Sequence, residues 1–309
     1  MMNFRSKVVR LLACLAVLVC PVAVARAIGD DARRYDDWCW LCTHNAMSVE
    51  KEGWKLANQS EPVRQQLDDG VRALMLDLWL QDGKVVVRHG SGVGRMLGEK
   101  PVAHVLDPVA AFLKDEPDAV VTLIFECYVP SRDVVTAIRD AGLEPYCVAL
   151  EENGQWPTLG AMRKSGKRLV VMSDRVDPDP ELPAWLMKVW DHAWETDWQA
   201  SSVDALRTRM PRRGDQENEL FILNHFVTTV LGASKAAAKR ANDAVFVRQR
   251  AAAAWQSFGQ RPNFLVVDFY DAGDPGRAVA AINRAKDAQQ FAAAALDGAG
   301  EDRQTKDGN

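Results

Sequence analysis

A regular alternation of short apolar runs with longer amphipathic stretches limits this chain more than any other feature. Strand-like runs lie near 38–44, 71–79, 119–128, 145–150, 168–173, 219–225 and 263–270. Helix-like stretches occupy 101–114, 131–141, 158–165, 234–258 and 275–286. Runs such as Val120-Val121-Thr122-Leu123-Ile124-Phe125 are apolar on both faces, as a parallel strand covered on both sides must be. Repeated units of this kind predict an α/β fold: a single-domain, TIM-type (β/α)8 barrel with some irregularity. The Pro- and Trp-rich segment 177–200 interrupts the pattern, and a short strand near 190–196 would supply the eighth barrel position. Asp82-Gly83, between Asp77-Leu78-Trp79 and Val85-Val86-Val87, predicts a tight hairpin that carries His89 to the barrel mouth.

The two ends read differently. Arg5, Lys7 and Arg10 precede an apolar run from Leu11 to Ala25, and Ala25-Arg26-Ala27 has the form of a cleavage site. Residues 1–27 are therefore expected to be a secretory signal, making the protein secreted or periplasmic. A retained anchor is the alternative, but Pro21 breaks the run and it is short for a membrane span. Residues 28–287 would form the barrel, and 288–309, rich in Ala, Gly and charge, a disordered tail. Loss of the leader moves the formal net charge from −4 to −8, a poor match for nucleic acid or for strongly anionic membranes.

Cys39, Cys42, Cys127 and Cys147 remain after such cleavage, an even number compatible with disulfides in an exported protein. Cys39-Trp40-Leu41-Cys42 has redox spacing, but it enters a strand where a thioredoxin-type pair opens a helix. No second ligand pair suggests zinc, so structural roles are expected.

Barrel chemistry collects at the C-terminal ends of strands. Those ends read Thr43-His44-Asn45, Leu76-Asp77, Phe125-Glu126, Ser173-Asp174, Asn224-His225 and Val267-Asp268-Phe269-Tyr270. Two imidazoles can take a proton from one oxygen and give one to another, and a carboxylate beside each would fix its tautomer. Asn45, Asp77 and Glu126 offer oxygen ligands suited to a hard cation. Each residue also has a plainer reading. His44 could cap a helix, His89 could be an exposed loop residue, and Asp77 and Glu126 could pair with a base such as Arg72. Asp268 and Tyr270 could be ordinary strand-end residues, and His225 could pack or anchor a loop.

Several blocks in order carry a resemblance. Thr43-His44-Asn45-Ala46-Met47-Ser48, the run from Gln66 to Asp77, and then His89 resemble the opening of the phosphatidylinositol-specific phospholipase C X-domain family. Val121–Glu126 and Asn263–Tyr270 look like its third and last strands. The resemblance implies a TIM-barrel phosphodiesterase acting on a phospholipid or inositol phosphate. His44 would be the base that deprotonates the inositol 2-hydroxyl, and His89 the acid that protonates the departing glycerol oxygen. Asp268 lies where secreted bacterial members place the carboxylate that orients the first histidine. Arg72, Tyr270 and His225 are candidate substrate-binding residues.

Calcium-dependent members of this family carry Asn after the first histidine and acidic residues on the second and third strands. Asn45, Asp77 and Glu126 match that pattern and imply Ca²⁺, although Met75 stands where eukaryotic members have glutamate. The lysines that grip extra phosphates in those members are missing after Gly166-Lys167-Arg168, which implies unphosphorylated phosphatidylinositol or a related glycolipid. Transient membrane-surface contact, no nucleic-acid partner and a monomeric state are expected. Glycerophosphodiester or sphingomyelin phosphodiesterases of the same superfamily are the enzymatic alternatives, although the former show His-Arg-Gly at the first strand. A catalytically silent surface-binding barrel is the non-enzymatic one. Trp185, Trp190, Trp194 and Trp198 fit an interfacial role or ordinary packing equally well.

Overall fold

The computed structural model describes residues 30–295, apart from 92–93, 152–153, 209 and 230–231. The expected signal at 1–27 and the tail beyond 295 lie outside the described residues.

Eleven strands form one curled sheet: β1 (Trp40–Thr43), β2 (Ala73–Gln81), β3 (Lys84–Val87), β4 (Lys100–Pro101), β5 (Val121–Cys127), β6 (Leu169–Ser173), β7 (Leu186–Lys188), β8 (Ala193–Thr196), β9 (Pro211–Arg213), β10 (Leu220–Asn224) and β11 (Phe264–Val267). Eight of them pair in parallel in the order β7-β6-β5-β2-β1-β11-β10-β8. Among the described residues β7 and β8 do not pair, so the barrel is distorted and open along one seam. The β2–β3 hairpin turns on Asp82 (φ 50°) and Gly83 (φ 75°), consecutive left-handed residues as a tight antiparallel turn demands.

Two apolar layers follow from strand alternation. Trp40, Cys42, Ala73, Ile124, Val170, Met172, Met187, Ala193, Leu220, Ile222, Phe264 and Val266 fill the barrel interior. The intervening residues, among them Leu41, Leu74, Leu76, Leu123, Val171, Leu223 and Leu265, pack outward against helices such as Ala103–Asp115, Ser131–Asp140, Ala244–Phe258 and Pro275–Arg284. The bottom of the barrel is plugged by Tyr35, stacked between Trp40 and Trp156 and sharing a 2.7 Å hydrogen bond with Thr122. The polar strand ends lie at the opposite mouth.

Three expectations change. The run 145–150 forms no strand: Glu144–Tyr146 is a 3-10 turn and Cys147 makes a single bridge to Leu169, while β7 takes the barrel position. The long helix over 234–258 is two, Lys235–Ala241 and Ala244–Phe258, because Asn242 turns to donate to Asp268 O and Phe269 O and Asp243 caps the second. Residues 288–295 are helical, with Phe291 buried against Trp255, so the expected disordered tail does not begin at 288. All four described cysteines are free and buried. Cys39 faces the outer layer and Cys42 the interior, so that pair cannot bridge.

Candidate active site

The interior layer predicts the site by parity. One inward position beyond it on seven of the eight parallel strands comes His44 after Cys42, Asp77 after Met75, Glu126 after Ile124, Asp174 after Met172, Glu195 after Ala193, Asn224 after Ile222 and Asp268 after Val266. All seven line one cleft of about 620 Å³ at the barrel mouth, together with Asn45, Asn58 and His89.

Register brings the histidines to their carboxylates. Thr43 pairs with Val267, so His44 and Asp268 emerge side by side and meet at 2.9 Å through His44 Nδ1. Each is followed by a left-handed residue, Asn45 (φ 46°) and Phe269 (φ 44°). Such a conformation is tolerable for Asn but strained for Phe, where it costs about 1–3 kcal/mol. Asn58 Nδ2 donates to the same Asp268 oxygen at 2.9 Å, and Gln59 ties the backbones together by donating to His44 O and Val267 O. Phe226 stacks flat on the His44 ring at 3.8 Å. With Nδ1–H donating to Asp268, the lone pair of His44 lies on Nε2, where the Asn45 amide nitrogen approaches to 3.2 Å.

His89 leaves the β2–β3 hairpin and places Nδ1 3.2 Å from Asp77 Oδ2. That hydrogen bond raises the His89 pKa against the opposing effect of burial, which favours a protonated imidazole. The two histidine rings stand edge to face with centroids 6.4 Å apart. Asp77 and Glu126 are register neighbours. Burial and then repulsion from Asp77 push the Glu126 carboxyl above its usual range, while the Tyr128 hydroxyl donates to it. Glu195 is likewise raised by burial and accepts from Asn224 Nδ2 at 2.8 Å.

Three expected substrate-binding residues are not brought to this cleft. Arg72 precedes β2 at the closed end, donates to Leu67 O and Val71 O, and lies over Phe112. Tyr270 leaves the strand after the kink at Phe269, and its hydroxyl donates to Asp69 at 2.7 Å. His225 follows Asn224 with the opposite parity and is fully buried: Nε2–H donates to Ala241 O at 2.8 Å and Nδ1 accepts from Arg250 at 3.1 Å.

Burial, reinforced by Arg250, lowers the His225 pKa to about 3. The folded state holds the neutral ring, so the unfolded chain binds the proton first. Stability present above the ordinary value of 6.5 is lost as pH falls from there toward 3. This one group contributes about 1.4 kcal/mol per pH unit in that window. Urea unfolding at pH 7 and pH 5 is expected to show His225→Gln losing about 2 kcal/mol less than the wild type across the interval; parallel losses would contradict the assignment.

The residues that reasoning along the chain passed over are Asn58, Gln59, Phe226, Glu195, Arg212 and Arg213. Glu195 had a parity signal; the others sit on loops or on the edge strand.

Comparison with known proteins places this geometry. The family model described as PI-PLC X 1 matches residues 31–283. The chain belongs to the PI-PLC X family. A PI-PLC X domain-containing protein of Arabidopsis thaliana is 26% identical over 268 residues, covering 81% of this chain and 62% of that protein. An uncharacterized secreted protein of Arthroderma benhamiae is 26% identical, covering 79% of this chain and 59% of its own length. The chain thus spans about three fifths of these two relatives. Among solved structures, the phosphatidylinositol-specific phospholipase C from Listeria monocytogenes superposes with a TM-score of 0.57 at 17% identity, covering 83% of this chain and 96% of that one. The Staphylococcus aureus enzyme gives 0.53 at 15% identity, covering 82% and 94%. At these identities the likeness speaks for the TIM-type barrel of the X family and for nothing finer.

Proposed function

We propose that this X-family protein is a phospholipase C-type phosphodiesterase that cleaves phosphatidylinositol or a related glycolipid by general acid–base catalysis. The observation that carries this reading is the pair of facing imidazoles, each held through Nδ1 by its own carboxylate. His44 Nε2 takes the proton of the hydroxyl next to the phosphodiester. The freed oxygen attacks phosphorus and closes a cyclic phosphate. The P–O bond to glycerol breaks, and His89 delivers its proton to that oxygen, releasing diacylglycerol. Water can then open the ring with the roles reversed. Asp268 stabilises the imidazolium formed on His44, and Asn58 fixes Asp268.

Asn45, Asp77 and Glu126 suit a hard cation. Neither carboxylate forms an ion pair with Lys or Arg among the described residues, and burial, then repulsion from Asp77, raises Glu126. No three His, Cys, Asp or Glu side chains gather to hold a metal among the described residues, so Ca²⁺ here would take two carboxylates, the Asn45 amide oxygen and solvent or substrate oxygens. Bound calcium would offset charge building on the phosphate oxygens. Glu126→Gln is expected to weaken Ca²⁺ binding by at least about tenfold in calorimetry; unchanged binding would reject this ligand.

Exposed Leu56 and Met210 each lie two residues from a lining residue of the cleft, Asn58 and Arg212, and Trp190 and Trp198 line it. This suits brief contact with a bilayer by a monomer. No helix among the described residues is long and apolar enough to cross a membrane. Export is part of the proposal, in keeping with the name of the Arthroderma benhamiae relative. Vesicles of phosphatidylinositol, phosphatidylcholine or sphingomyelin, and soluble glycerophosphodiesters, distinguish the readings. Diacylglycerol from the first alone is expected. Silence on all four by folded protein would favour a binding barrel.

A further inference from the structure

Arg88, the residue before His89, stands between two carboxylates in the sheet. The Leu78–Val87 pair puts Asp77 beside it on β2, and the Arg88 backbone N–H donates to Asp77 O at 3.2 Å. The Val87–Lys100 pair puts Glu99 beside it on the side of β4. Cross-strand partners share a face, so both acids compete for one guanidinium. It takes Glu99, with Nη1 3.1 Å from Oε2, and lies 4.6 Å over the Trp79 ring. Trp79 is held in turn by Tyr128, stacked on it at 3.9 Å. Arg95 also approaches Glu99, at 3.7 Å, so that acid draws two cations. Among the described residues Arg88 makes no ion pair with Asp77, whose carboxylate goes to His89 Nδ1. Arg88 is buried, and its Nε–H has no hydrogen-bond partner. The guanidinium therefore keeps a spare donor next to the carboxylate on which His89 depends. A simple hairpin staple would be served by either acid; only pairing with Glu99 leaves Asp77 to the histidine.

We propose that Glu99 is a positioning residue for the general acid: with Trp79 it holds Arg88 off Asp77 and reserves that carboxylate for His89. This rests on the phosphodiesterase reading. Loss of the Glu99 charge leaves a buried guanidinium without its counter-ion, and the cross-strand acid that remains is Asp77. Arg88 then takes Asp77. His89 loses the acceptor that orients its ring, so Nε2 no longer meets the departing glycerol oxygen.

Two substrates separate this role from a structural one. Diacylglycerol leaves phosphatidylinositol as an alkoxide that must be protonated, whereas nitrophenolate leaves the nitrophenyl ester of inositol phosphate without a proton. Glu99→Gln is expected to lower kcat on phosphatidylinositol by about tenfold or more, with KM little changed, and kcat on the nitrophenyl ester by less than about twofold. Arg88→Gln/Glu99→Gln removes the competing cation and is expected to return cleavage of phosphatidylinositol to within about threefold of wild type. Trp79→Leu, which removes the stack and keeps Glu99, is expected to show the same split between substrates at about threefold. Circular dichroism checks that each variant folds. Full activity of Glu99→Gln, equal losses on both substrates, or no recovery in the double variant would each overturn the proposal. Nitrogen NMR of the His89 ring reads the bond to Asp77 without turnover: the bond is expected to be lost in Glu99→Gln and regained in the double variant. That pattern in a protein that cleaves neither substrate rejects the phosphodiesterase reading alone. An unchanged His89 ring in Glu99→Gln rejects the positioning role alone.

Discussion

His44→Gln is expected to lower kcat on phosphatidylinositol by about 10³-fold or more while leaving the protein folded. The size follows from what the residue touches. Its Nε2 is the lone pair aimed into the cleft, because Nδ1–H is committed to Asp268 at 2.9 Å. Glutamine can occupy the space under Phe226, yet it cannot accept and return a proton. The glutamine amide can still donate to Asp268 in place of Nδ1–H, so stability should move by about 1 kcal/mol or less. Steady-state kinetics with denaturation as a control reads both effects. A variant within tenfold of wild type would remove His44 from the chemistry.

Asp268→Asn is the more discriminating change. The carboxylate is buried and accepts from His44 Nδ1 and Asn58 Nδ2. Both donors reach the same oxygen, Oδ1, so in the variant the amide oxygen can keep both bonds while the negative charge is lost. The imidazolium that forms on His44 then lacks the neighbouring carboxylate charge that stabilises it. A fall in kcat of about 10²–10³-fold with little change in KM is expected, without the loss of fold that a cavity would cause. If KM rises and kcat holds, Asp268 binds substrate instead of orienting the base.

Most of the barrel was legible along the chain because doubly covered strands are continuously apolar and their polar ends are abrupt. That these polar residues share one cleft was legible for the same reason: His44, Asp77, Glu126 and Asp268 each follow an interior residue at even spacing. Parity also shows why two expectations failed. Arg72 and His225 each sit one residue away from an inward position, Ala73 and Asn224, so their side chains turn to the outer layer. Tyr270 has the inward parity, but the left-handed turn at Phe269 takes it off the strand, and no pattern of apolar residues announces such a turn. The run 145–150 is as apolar as a strand, yet it only caps the sheet at Cys147. Asn58, Phe226 and the bulged Arg212 were beyond reach because long-range contacts and a register shift place them, and neither leaves a local signal.

The most direct measurement is phosphorus NMR of the first soluble product released from phosphatidylinositol vesicles. Attack by the neighbouring hydroxyl through His44 and His89 predicts a cyclic inositol phosphate that appears first and gives way to the acyclic monoester, with diacylglycerol left in the membrane. Phosphatidic acid, or acyclic inositol phosphate with no cyclic precursor, would contradict it.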